Sequence, residues 1–596
     1  MSPEGAVLFE VSWEVCNKVG GISTVIKSKA PRILEIYGQE NYTAVGPYVP
    51  GMVQGEFEEA PVPKEYSAVC KNLAGEGIRL HFGKWLIKGL PSVILVDFKG
   101  FIGNSDSVKK ELWEKFGISS IRASYDYDEP IVWGYAAGRV LQLVLAQNPG
   151  RKTVVQFHEW LSGGALLYLK MNDVKVATVF TTHATILGRT LASSGVDLYS
   201  KMKSIDSEKS AFDYGIEAKF GVEKQSALNA DVFTTVSEIT GIEAEAFLGR
   251  KPDVLLPNGL DMDKFPTFEE ASVQHRLMRE KIREFISYYF FPYYSFDIEE
   301  TLVYFLAGRY EFRDKGIDIY IKALARLDGL MKKENSSKTI VAFIFVPGDV
   351  YSIYQNIVEN HTNFIDVKDG LDDEMPYIRS RIMSALLSQS DISSFSVFSQ
   401  DFAAETKKRV LKFRKQGFPE LSTHLLKSGD DIIIKTLHSV GLANSAESRV
   451  KVIFYPIYLT GADGLLDLSY YEAMQGAHLG VFPSFYEPWG YTPLEAAALG
   501  VSSVTTDLAG FGRYILKESD GKKIPGVFVL KRERKSDEEI VESLARFMLD
   551  FADFSKDERV KNKLMAKTIA AKADWKFLIG EYVLAHNLAL SKHKGG

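Results

Sequence analysis

Two series of short β-branched runs, each run separated from the next by a helix-period segment, constrain this chain more than any other feature. Strands spaced that way are joined by crossovers long enough to hold a helix, and so belong to parallel sheets covered on both faces. The first series reads AVLFEV (6–11), TVVQF (153–157), VKVATVF (174–180), DVFTTV (231–236) and DVLLP (253–257). The second reads TLVYFLA (301–307), KTIVAFIFV (338–346), RVKVIFYP (449–456), LGVFPSF (479–485), VSSVTT (501–506) and GVFVL (526–530). At 596 residues the chain is too long for one core. The pattern predicts an α/β protein of two doubly wound domains facing a cleft, divided just after the turn tripeptide Pro257-Asn258-Gly259.

Two stretches of the second half, 268–290 and about 375–416, read as charged amphipathic helices with no strand between them. Their apolar stripes predict helix–helix contact, including contact between subunits. From about Asp537 onward the chain reads as almost wholly helical.

Charge narrows the partners. Lys and Arg total 71 against 77 Asp and Glu, a net charge of −6, which argues against a nucleic-acid or anionic-membrane binder and suits a neutral polysaccharide. Two cysteines, Cys16 and Cys70, form no disulfide framework and no zinc spacing. The start, MSPEGAVLFEVSWEV, has no secretory pattern, and apolar runs such as 339–346 are strand length. The expected compartment is the cytosol.

Four constellations carry chemistry. Lys18-Val19-Gly20-Gly21 lies between the first strand and a helix, where two glycines admit close approach and a helix start attracts anions. Taken alone it is equally an ordinary tight turn, and Gly510-Phe511-Gly512 lacks the third glycine of a dinucleotide loop. Gly308-Arg309-Tyr310-Glu311-Phe312-Arg313-Asp314-Lys315-Gly316 follows the strand at 301–307, where ligands of open α/β sheets bind. Arg309 and Lys315 suit a diphosphate there, though a solvated loop has the same composition. Next comes Phe485-Tyr486-Glu487-Pro488-Trp489-Gly490-Tyr491-Thr492-Pro493-Leu494-Glu495. Thr492, Pro493 and Glu495 predict a capping box that opens a helix, with Gly500 ending it. Local propensity explains Glu495 in this way but leaves Glu487 unexplained. Two carboxylates at the positive end of a helix would position a sugar nucleotide and balance an oxocarbenium ion. Last, His158 and His183 sit at strand ends, with Arg189 six residues beyond His183. His183 is the stronger candidate, and His158 fits a core role as well.

These residues resemble a family. KVGGI, FHEWL, FTTHATILGR, FTTVS, PNGL, FLAGRYEFRDKG, RVKVIF and VFPSFYEPWGYTPLEAAALG, in that order over about 7–590, are similar to the animal and fungal type of glycogen synthase. The resemblance implies a GT-B architecture: a Rossmann-like domain at 1–262, a nucleotide-sugar domain at 263–575, and a last helix at about 576–596 packing back on the first. It implies retaining transfer of glucose from UDP-glucose to the non-reducing end of an α-1,4-glucan such as glycogen, with no metal and no cofactor. By position Arg309 and Lys315 would bind the diphosphate, helped by Arg189 and the Gly20-Gly21 loop. Tyr470 and Tyr458 would flank the uracil, with His478 and Thr492 near the phosphates. Glu495 would hold the ribose, and Glu487, Lys18 and His183 would line the sugar site as catalytic groups. Tyr458 stands where the family more often has Phe. Glu487 as nucleophile, or a front-face path in which His183 and Glu487 stabilise the ion, both remain open, and the second is favoured. A homo-oligomer, a tetramer by resemblance, is expected.

Departures matter too. Family members activated by glucose 6-phosphate carry an arginine-dense helix before a D-W pair. Asp574-Trp575 is present, but 556–572 holds one arginine, Arg559, among lysines. With little chain outside the outermost elements, this predicts weak effector activation and constitutive activity. A GT-B transferase using ADP-glucose or another acceptor is the nearest rival, and a catalytically inactive glucan-binding scaffold is the rival from another class.

Overall fold

A computed structural model describes residues 5–391 and 397–594. The first half contributes nine strands: β1 (Val7–Val11), β2 (Tyr42–Pro47), β3 (Phe57–Ala60), β4 (Arg79–Trp85), β5 (Ser92–Asp97), β6 (Thr153–His158), β7 (Ala177–Thr182), β8 (Val232–Thr235) and β9 (Val254–Leu255). They form one sheet in the order β3-β4-β5-β2-β1-β6-β7-β8-β9. The second half supplies β10 (Thr301–Ala307), β11 (Thr339–Phe345), β12 (Val350–Ile353), β13 (His424–Leu426), β14 (Val450–Tyr455), β15 (Leu479–Val481), β16 (Ser502–Thr506) and β17 (Val527–Leu530). Six of these make a second sheet, β14-β11-β10-β15-β16-β17, while β12 and β13 pair apart from it. The second sheet is parallel throughout.

The sequence reading missed β2 to β5, and with them a departure from a purely parallel first sheet. Strands β3, β4 and β5 pair antiparallel. The edge strand β3 leaves Glu58 and Glu59 exposed, and β4 beside it buries only Phe82 and Trp85, so neither shows the apolar run of a strand covered on both faces.

The helix Phe268–Phe290 opens on a Thr267/Glu270 capping box. The second predicted helical stretch begins earlier than 375. It is a helix Gln355–Leu387 with Pro376 inside it, followed by Gln400–Phe413, and residues 392–396 of the predicted stretch lie outside the described residues.

The chain crosses between the halves twice, side by side: Leu260 and Asp574 form a parallel bridge. The C-terminal helix Trp575–Lys594 then lies on the first sheet, with Tyr582 and His586 buried. Its Trp575 donates to Ser28 Oγ at 2.8 Å, and a Cβ on Gly259 would meet the indole at 2.6 Å. That glycine is needed for close approach.

Candidate active site

The carboxyl ends of the two sheets meet. Tyr486, beyond β15, donates to Glu243 at 3.3 Å, and Glu243 also accepts from Thr185, just beyond β7. Arg313, beyond β10, donates to the Gly195 carbonyl. Tyr486, Arg313 and Thr185 all follow strand ends, which is where an open α/β sheet presents ligand-binding loops.

On the first sheet, the turn after β1 carries Lys18, Gly20 and Gly21, all exposed, into the helix Gly21–Tyr37. Its helix start is less free than the sequence suggests. Glu14 Oε2 accepts from Gly20 N at 2.8 Å and from Ser23 N at 3.0 Å, so a carboxylate of the chain already caps two donors. Burial pushes Glu14 up from its usual range.

His183 stands at the end of β7, buried, with its Nε2 2.9 Å from His158 Nδ1. Arg189 projects, exposed, from the helix Ile186–Ser193 that follows. Behind them lie carboxyls that sequence reasoning missed. Glu159 holds the N–H groups of His183 and Ala184 at 2.8 and 2.9 Å, and Glu223 holds that of Ile186 at 3.0 Å. Burial, partly offset by Arg189, pushes Glu159 to about 7. Burial likewise lifts Glu243 to about 7, against hydrogen bonds from Thr185, Tyr199 and Tyr486. One signal was available: Glu159 directly follows His158 at a strand end, in a chain where such positions face the cleft.

On the second sheet, Arg309 is 69% exposed on its side chain and pairs with Glu311 at 2.8 Å. Gly316 has φ +69° and its missing Cβ would lie 2.0 Å from the Pro483 carbonyl. This tight turn folds Lys315 back over Gly308 and onto the loop after β15. There Lys315 Nζ meets Glu487 Oε2 at 2.5 Å. Because β10 and β15 are neighbours, the two motifs become one site.

The predicted capping box is corrected. The helix is Tyr491–Ala498, with Gly490 at φ 110° as its N-cap and no side-chain cap. Gly490 supplies a turn open to few other residues, so Thr492 lies inside the first turn and Glu495 is released from capping. Glu495 accepts from Tyr471 OH at 2.9 Å and Tyr470 OH at 3.2 Å. Burial pushes it to about 7, against those two bonds. Gly500 does follow the helix with a positive φ of 75°. Tyr458 stands 76% exposed after β14, two strands from β10.

His478 does not join the site. Its Nδ1 accepts from Val303 N at 3.0 Å and its N–H donates to the Val303 carbonyl, at the amino end of β15. Val303 is four residues, about 13 Å, from the carboxyl end of β10. Adjacency in sequence to the strand misled: His478 precedes β15, whereas ligand loops follow strands. It lines instead a cavity of about 380 Å³ with Arg279, Arg283, Lys556, Arg559 and Lys563.

Residues 10–594 match the sequence model of the glycogen synthase family. The chain belongs to that family. It is 37% identical over 594 residues to the glycogen [starch] synthase of Dictyostelium discoideum, covering 98% of this chain and 67% of that protein. Identity is 36% over 609 residues to isoform 2 of Saccharomyces cerevisiae (98% and 86% covered) and 34% over 591 residues to the liver enzyme of Mus musculus (99% and 84%). Membership makes the chain a glycosyltransferase. In fold it is similar to the catalytic domain of starch synthase IV from Arabidopsis thaliana, a structure bound to ADP and acarbose. The TM-score is 0.51 at 12% identity, covering 99% of this chain and 100% of that one. That likeness and the two sheets make this a GT-B fold. Among the described residues no helix is long and apolar enough to cross a membrane.

Proposed function

We propose that this glycogen synthase family member transfers glucose from UDP-glucose to the non-reducing end of an α-1,4-glucan, with retention, and releases UDP. The observation that carries the reading is the Lys315–Glu487 pair at the carboxyl ends of neighbouring strands. In this reading Lys315 would be the cation for the leaving diphosphate and Glu487, beside it, the carboxylate for the developing oxocarbenium ion. Arg309, free to swing from Glu311, would clamp the diphosphate with Lys315, and Arg189 would approach it from the opposite sheet. Lys18 and the exposed Gly20-Gly21 turn, after β1, would approach from the first sheet. Glu495, bonded by Tyr470 and Tyr471, would take the ribose hydroxyls, with Thr492 beside Tyr470 and Tyr458 offering a ring to the base. His478 has no part in donor binding. A front-face path suits this arrangement, because a carboxylate tied to an ammonium is a poorer nucleophile than a free one.

The enzyme is proposed to work in the cytoplasm as a homo-oligomer. The helices Gln355–Leu387 and Gln400–Phe413 expose Tyr377, Met383, Leu386, Leu387 and Leu411, apolar surface suited to a second copy. Sedimentation of the purified protein tests the oligomer.

The reaction is tested by incubating purified protein with glycogen and either UDP-glucose or ADP-glucose. Elongation from UDP-glucose is expected. Elongation from ADP-glucose alone would move the rival donor to first place, and glycogen binding without elongation would favour a scaffold.

A further inference from the structure

Beneath His183 lies a line of charged and polar groups that the reaction as described does not use. His183 Nε2 is 2.9 Å from His158 Nδ1, and His158 Nε2 is 2.8 Å from Glu10 Oε1. Glu10, in the middle of β1, is fully buried and pairs with Lys29 of the helix Gly21–Tyr37, which is fully buried too. Tyr42 of β2 donates to the other Glu10 oxygen at 2.5 Å. From the C-terminal helix, Tyr582 lays its ring 4.0 Å from Lys29 Nζ, and His586 bonds Gln156 at 2.9 Å and Tyr37 at 2.8 Å. Arg189 is close enough to His183 for its charge to be felt there, and the His183 N–H donates to Glu159 at 2.8 Å.

Such a line is an expensive way to fill a core. Taking Lys29 and Glu10 out of water costs more than their attraction need return, and apolar side chains of similar size would pack as well. What the charges do determine is direction. A carboxylate only accepts, so Glu10 requires a proton on His158 Nε2. His158 Nδ1 is then a lone pair, which requires a proton on His183 Nε2. The one ring nitrogen of His183 left over, Nδ1, is an acceptor. Burial holds both histidines below their usual range, so both stay neutral. Burial would raise Glu10, but the Lys29 charge and the His158 bond outweigh it and keep Glu10 ionised.

We propose that Lys29, Glu10 and His158 are positioning residues for glucosyl transfer, setting His183 as the neutral tautomer whose Nδ1 accepts a hydrogen bond from a hydroxyl of the transferred sugar. The proposal rests on the reading of His183 as a sugar-site residue. Exposure fits: Glu10 is 0% and His158 1% exposed, and His183, at the cleft end, is 8%. Neutral His183 also suits the chemistry, since a cation there would repel the oxocarbenium ion.

Two measurements test this on the full chain. Histidine-selective 15N spectra of the wild-type protein, assigned with His158→Gln and His183→Gln, should show both rings protonated at Nε2 only. That state should hold between about pH 6 and about pH 8. A proton on His183 Nδ1 would overturn the proposal without any appeal to turnover. The second is the double variant Glu10→Gln/Lys29→Met, which removes both buried charges and leaves the amide free to face either way. Its kcat should fall on the order of 10- to 100-fold, with KM for UDP-glucose within about threefold and Tm near wild type. An unchanged kcat, or a fall in which UDP affinity and Tm drop together, would reduce the line to packing. Absence of elongation by the wild-type enzyme is a separate result, and it would remove the sugar-site reading itself.

Discussion

The ammonium of Lys315 sits 2.5 Å from the carboxylate of Glu487, 172 residues apart in sequence and one strand apart in the sheet. Both side chains keep about a fifth of their surface open, 17% and 20%. The pair is therefore neither a surface ornament nor a sealed core contact: a ligand arriving at the cleft can reach both partners. A diphosphate at Lys315 would share the ammonium with Glu487 and leave that carboxylate facing the sugar.

Removing the carboxylate separates binding from turnover. Glu487→Ala frees Lys315 for phosphate, so UDP should bind as well as to wild type or better. Turnover should fall by roughly 100-fold or more, the scale of losing one charge-stabilising group. Calorimetry with UDP beside a glucan elongation assay reads both, and unchanged turnover would take Glu487 out of the mechanism.

The turn that delivers Lys315 has its own test. Gly316→Ala places a Cβ in a left-handed conformation and 2.0 Å from the Pro483 carbonyl. The backbone must move, at a cost of about 2 kcal/mol or more. Thermal unfolding should show a lower Tm, and elongation should fall further than stability alone explains, because Lys315 moves with the turn.

Burial of Glu495 makes a pH signature. Folded, it titrates at about 7, against 4.5 for an ordinary glutamate carboxyl. Between those values the folded chain holds a proton that the unfolded chain has released, so this group's contribution to stability declines as pH rises from about 4.5 to about 7 and stays lost above. The full shift is worth roughly 3 kcal/mol. Glu495→Gln should therefore be more stable relative to wild type at about pH 8 than at about pH 5, by Tm. Equal differences at both would place Glu495 in an ordinary environment.

Glucose 6-phosphate should change the rate by less than about twofold, because lysine and committed arginine grip phosphate poorly. The cavity beside His478 is rich in cations, yet its three arginines and Lys563 already have protein partners. Arg279 bonds the carbonyls of Gly476 and Ala477, Arg283 pairs with Glu280 and Glu299, and Arg559 bonds the Phe554 carbonyl. Lys563 lies 2.9 Å from His275 Nδ1, and burial with Arg279 and Arg559 nearby lowers it to about 7. An elongation assay with and without the effector reads this, and a large activation would show that these bonds yield.

Fully buried strands were legible because burial on both faces demands unbroken apolar runs: β10, β11 and β14 lie where the sequence predicted them. The edge strand β3 and its neighbour β4 were not, since most of their side chains are at least partly open to water. The candidate site was partly legible for a similar reason. Glu487 is conspicuous because no local rule accounts for a carboxylate there, whereas Glu495 was assigned to a cap that Gly490 makes unnecessary. Glu10 carried an unread signal, a charge inside a strand whose every residue is buried.

The sequence by itself determined the two sets of strands, the motifs that follow them and the glycogen synthase resemblance, because each of these depends on residues close together in the chain. Only the tertiary structure decided which charges meet. Glu10 reaches His158 across 148 residues, Lys315 reaches Glu487 across 172, and His478 is sent to the opposite end of its sheet. Sheet order and strand direction set those encounters, and a local pattern records neither. Burial then sets their chemistry, since a carboxyl group titrates by what surrounds it in space.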